Sequence, residues 1–175
     1  LAGEAAFAVT ANRPGLEAAG VAARSLGETR VRALKATGTA AALVPLFPLA
    51  AGWQPEGTIT LESDEFALGR DEARGAAKLE WRDAALSLAP SRPLGTWKAD
   101  VAGKGSVVEV ALATVKGPLR LAGKGTLTFA DAKVTVPFSL AGTASADPGR
   151  EKELEALLAL IGPRRPDGLH AFTVR

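Results

Sequence analysis

The stretch LRLAGKGTLTF, residues 119–129, decides the fold. Leu119, Leu121, Gly123, Gly125, Leu127 and Phe129 occupy one parity, and Arg120, Ala122, Lys124, Thr126 and Thr128 the other. A period of two is the signature of a strand with one buried and one wet face. The same alternation runs outward in both directions. Upstream, Val108, Val110 and Leu112 oppose Glu109, Trp97, Ala99 and Val101 oppose Lys98 and Asp100, and Leu79 and Trp81 oppose Lys78, Glu80 and Arg82. Further back, Ile59 and Leu61 oppose Thr58 and Thr60. Downstream, Val134, Val136, Phe138 and Leu140 resume the phase after a turn near Asp131, with Pro137 marking an edge or a bulge.

Turn-forming residues punctuate these runs: QPEG, GRDEARG, APSRPLG, AGKGS, VKGP and FADA. Short, regular spacing of this kind predicts an antiparallel meander. The first fifty residues are rich in alanine, a helix former. Turns at residues 12–15 and 26–28 nevertheless favour short strands there, with a helix over residues 16–26 as the rival. Residues 40–48 predict a short helical segment. One longer helix is well marked: Asp147 as cap, Pro148 at its first position, an apolar stripe of Leu154, Leu157, Leu158 and Ile161, and a stop at Gly162 and Pro163. LHAFTVR, residues 169–175, reads as a closing strand. The expected fold is mainly β: a curved meander sheet, open or barrel-like, in a single domain over residues 1–175, with the helix in the C-terminal region.

Bulk composition narrows the function. The 175 residues are 47% hydrophobic and 23% charged, ordinary for a globular protein. A net charge of +2 with no dense basic block argues against nucleic acid. The absence of cysteine excludes a disulfide framework and a thiolate metal site. The longest apolar run, residues 40–53, is shorter than the roughly 20 residues that span a bilayer, and Pro45 and Pro48 break it. The chain contains no methionine, not even at position 1, and the expectation is that it starts inside a longer protein or after processing.

The repeated AGKG, at residues 102–105 and 122–125, is the one motif that suggests phosphate chemistry. A P-loop needs Lys followed by Ser or Thr, between a strand and a helix. Lys104 and Lys124 are each followed by Gly and then by another strand-like run. The glycines therefore read as sheet punctuation: a turn in the first copy and a bend within a long strand in the second. His170 is the only histidine, and no G-x-S-x-G elbow or D-x-D-x-D loop accompanies it. No catalytic residue, metal ligand or cofactor is expected. Trp53, Trp81 and Trp97 stand out, either as core aromatics or as the lining of a ligand groove.

The order of motifs adds a resemblance. GTITL (57–61), WRDA (81–84), PLGTW (93–97), GPLRLAG (117–123) and the Leu-rich helix ending LLALIG (157–162) together resemble the type II secretion system protein N (GspN) family. The motifs lie in the C-terminal two thirds of the chain. The resemblance implies a non-enzymatic periplasmic body, anchored to the inner membrane by an N-terminal helix outside this chain. It also implies a role in exporting folded proteins across the outer membrane. The implied partners are the secretin and the inner-membrane platform proteins. A lipid or other hydrophobic-ligand carrier, resembling AsmA-like and lipoprotein-carrier folds, is the alternative. It follows from a physical point: one short helix cannot cover the apolar face of a many-stranded sheet.

Overall fold

The computed structural model describes residues 5–25, 27–44, 52–89, 91–128 and 138–174. Ten strands form one antiparallel sheet in which spatial order equals chain order. They are β1 (Ala5–Arg13), β2 (Leu16–Ser25), β3 (Glu28–Thr39), β4 (Glu56–Leu68), β5 (Ala73–Ala85), β6 (Gly95–Gly105), β7 (Val107–Lys116), β8 (Leu119–Thr128), β9 (Phe138–Ala146) and β10 (His170–Val174). β1 and β10 are the two edges and do not pair with each other, so the sheet is open. Two helices accompany it, α1 (Ala40–Leu43) and α2 (Glu151–Ile161). No helix among the described residues is long and apolar enough to cross a membrane.

The register explains why the sheet has two unlike faces. Cross-strand partners share a face, so a row can be followed from edge to edge. One row runs Ala11, Ala18, Ala36, Leu61, Leu79, Ala99, Leu112, Gly123, Gly142, Phe172, one residue per strand. It contains no polar side chain, and every member is half-buried. On the opposite face Lys35, Glu62, Lys78 and Asp100 are successive partners, all exposed and alternating in sign. Opposite charges directly across a strand pair stabilise it modestly, and like charges would oppose it.

The described residues up to Thr39 form three strands joined by turns, and residues 16–25, where a helix was the rival, form β2. Pro14 and Gly15, the latter at φ +77°, turn β1 into β2, and β3 then pairs with β4 over most of its length. Partnered backbone outweighs the helical preference of alanine, which is worth only tenths of a kcal/mol per residue. Ala33, at φ +50°, supplies the extra residue where β2 and β3 shift register. The two AGKG copies differ as their contexts predict. The first ends β6, with Gly105 at φ +79° entering the turn at Ser106, and the second lies wholly inside β8.

α1 is capped by Thr39, whose hydroxyl accepts from the Ala42 amide at 3.3 Å. The remainder of the expected 40–48 segment, and the run containing Asp131, Val134, Val136 and Pro137, lie outside the described residues. α2 requires one correction. It starts at Glu151 rather than at Pro148, and Arg150 takes the cap position without a side-chain cap bond. Gly149 sits at φ +86°, left-handed backbone that a helix cannot continue. The Asp147 carboxylate is turned instead to Arg120. The stripe is as expected: Leu154, Leu157 and Leu158 are buried, and Gly162 ends the helix. These leucines pack on Trp97, Leu119 and Ala144, with Ala84 from the end of β5 and Ala89 and Leu94 from the β5–β6 connection closing the cluster. The core therefore occupies one end of the apolar face. Beyond α2, and α1 where it packs beside β3 and β4, that face carries no covering element among the described residues.

Candidate functional site

The tryptophans meet where the covered and uncovered parts of the apolar face join. Ile59, Trp81 and Trp97 are consecutive partners on β4, β5 and β6, which sets the two indoles side by side. Their rings meet edge to face, with centroids 5.4 Å apart and planes at 73°. That geometry aims the positive edge of one ring at the negative face of the other. Trp97 is buried, Trp81 is half-buried, and Trp53 is 50% exposed.

Both inward indoles have their N–H satisfied by backbone. Trp81 Nε1 donates to the Glu56 carbonyl at 2.9 Å, and Trp97 Nε1 donates to the Leu119 carbonyl at 3.1 Å. Glycine makes room for the first of these bonds. A side chain at Gly57 would stand 2.9 Å from Trp81 Nε1 and 2.4 Å from the Arg82 carbonyl oxygen. Trp53 is held from its backbone. Its carbonyl accepts from the Ser87 amide at 3.0 Å and from the Ser87 hydroxyl at 3.1 Å.

These groups wall an apolar cleft of about 320 Å³. β5 to β8 and β10 form its floor, α2 one side, and Trp53 with Leu86 and Leu88 the other. Among the described residues, Thr173 is the only aliphatic polar side chain on its lining, and no charged side chain borders it. Leu88 and Leu160, which frame it, are 63% and 68% exposed. Sequence reasoning singled out the three tryptophans but missed these two leucines. Leu88 lies in a turn with no periodicity, and Leu160 lies off the helix stripe.

The ionisable groups lie elsewhere. At the head of α2, Arg150 pairs with Glu153 and donates to the Ser91 hydroxyl at 2.9 Å. The hydrogen bond from Arg150 holds the Glu153 carboxyl below the ordinary carboxylate range, and the same bond raises the Arg150 guanidinium. His170 Nδ1 lies 2.9 Å from the Gly162 carbonyl oxygen, so the single histidine ties the end of α2 to β10. This site can hold an uncharged, apolar group.

A comparison at the level of protein families matches residues 1–173 to type II secretion system (T2SS), protein N. The chain belongs to this family. The match runs from β1 almost to the end of β10, so it extends the resemblance, carried by motifs in the last two thirds, to the N-terminal strands as well. As a protein N family member, the chain is a component of the type II secretion system. Comparisons with curated proteins and with solved structures found no match.

Proposed function

We propose that this chain is a non-enzymatic, periplasmic part of the type II secretion system. It acts at the inner membrane and assists export of folded proteins by binding the secretin and the inner-membrane platform. The family match over residues 1–173 carries this reading. The fold supports a binding role through the contrast between its two sheet edges.

β10 is blunted by its own chain. The Ala171 amide donates to the Pro163 carbonyl at 3.0 Å, and Arg164 forms a bridge with His170. β1 has no such cover among the described residues. Its residues from Ala5 to Asn12 carry no charge, and Phe7 and Val9 are 54% and 43% exposed. Protein edges are ordinarily guarded by charge, proline or a covering segment. A bare edge of this kind favours a partner strand added to β1, with apolar residues at its inward positions.

Cross-linking mass spectrometry of the chain mixed with periplasmic domains of the secretin and of the platform proteins tests this. Cross-links should concentrate on β1, and a Phe7→Asp/Val9→Asp variant should lose about tenfold in capture while keeping its circular dichroism. A chain that captures neither partner, or captures them equally well with both substitutions, would overturn the proposal.

A further inference from the structure

We propose that the tryptophan-walled cleft and the apolar row leading from it bind the acyl chain of a membrane phospholipid. Three observations select that occupant. The first is charge. Among the described residues no ionisable side chain borders the cleft, and none occurs in the ten-residue row, while the opposite face carries the alternating ladder Lys35, Glu62, Lys78 and Asp100. An occupant complementary to this surface is uncharged along its whole length.

The second is hydrogen bonding. Both inward indole N–H groups are already consumed by the Glu56 and Leu119 carbonyls. An extended peptide seated in the cleft would bury backbone donors and acceptors against walls that answer almost none of them. A hydrocarbon chain needs no hydrogen-bond partner there.

The third is continuity. The cleft does not end at its own walls: Leu112 and Phe172 belong both to its lining and to the row that crosses all ten strands. Nine interstrand steps of about 4.8 Å give a strip of about 43 Å. The half-exposed Trp53 and the exposed Leu88 and Leu160 make an apolar mouth, the kind of patch that marks a binding surface. A chain end can enter there while the polar headgroup stays in water. The cleft lies away from β1, which only the far end of the row reaches at Ala11, and lipid binding is read with the protein alone, so its failure leaves the secretion partners untouched.

The test incubates the purified chain with vesicles of phosphatidylethanolamine and phosphatidylglycerol, re-isolates it, and counts bound lipid by native mass spectrometry. A parallel sample uses phosphatidylglycerol with brominated acyl chains, which quench nearby tryptophan. The expected result is stoichiometric lipid together with quenched emission. Ala99→Phe, which fills the strip, and Leu88→Glu/Leu160→Glu, which charges the exposed mouth without touching the core, should each lower retention about tenfold. Absence of retained lipid, retention without quenching, or equal retention by folded variants of both kinds would overturn the assignment. Capture of a protein helix in place of lipid would overturn it as well.

Discussion

At Gly142 an added methyl carbon would stand 2.3 Å from the Ala122 carbonyl oxygen and 2.6 Å from the Phe172 ring. The glycine is therefore the seat of Phe172, its partner across β9 and β10. Gly142→Ala should destabilise the protein by about 1–3 kcal/mol, as overpacking does. Gly52, with no atom of the described residues within 4 Å of its added carbon, should tolerate Ala to within about 0.5 kcal/mol. Chemical denaturation of the two variants side by side checks both. Leu154, fully buried between α2 and the sheet, should cost about 2–5 kcal/mol on truncation to Ala in the same assay. Which leucines are buried could be read from the helix stripe, and the parity of Trp81 and Trp97 placed them on the apolar face. What the indoles bond to was not legible, because Glu56 and Leu119 are 25 and 22 residues away in the chain.

Among the elements, α2 carries a pH-dependent ion pair. Glu153 is held below its ordinary range by Arg150, so its folded-state value is depressed. A depressed carboxyl contributes stability that is present above the unfolded value and is lost as pH falls through the folded one. Glu153→Gln should therefore lower the melting temperature slightly at neutral pH, and the gap to the unsubstituted protein should close on acidification below about pH 4. Melting curves across that interval are the check. A constant gap would mean that the pair contributes through shape alone. The strands of the C-terminal two thirds were legible because period two is a local property of the chain. The start of α2 was not, because Asp147 and Pro148 satisfy every local rule for a helix start. Arg120, on a strand 27 residues earlier, holds the aspartate instead. The N-terminal strands were only half legible for a similar reason. Alanine's propensity spoke for helix, and pairing with β4 settled the matter.

For the whole molecule, closure was the question that alternation left open between an open sheet and a barrel-like one. Two edges that never meet answer it, and the β10 edge is taken instead by the Pro163–Ala171 contact, which periodicity does not encode. The same asymmetry predicts hydrogen-exchange behaviour. Amides of β1 should exchange orders of magnitude faster than those of β6 and β7, which are paired on both sides. Equal protection in β1 would show that its edge is covered in solution.

A sheet whose spatial order copies its chain order has no crossover to thread. Each strand leans on its predecessor and its successor, so the architecture behaves as a one-dimensional stack, in the manner of repeat proteins. A newly synthesised chain can lay down hairpins in the order in which they emerge. By the same logic, a hairpin can be inserted or deleted in the gene without rerouting the others. Span then becomes an adjustable quantity, changing by about 10 Å for each pair of strands.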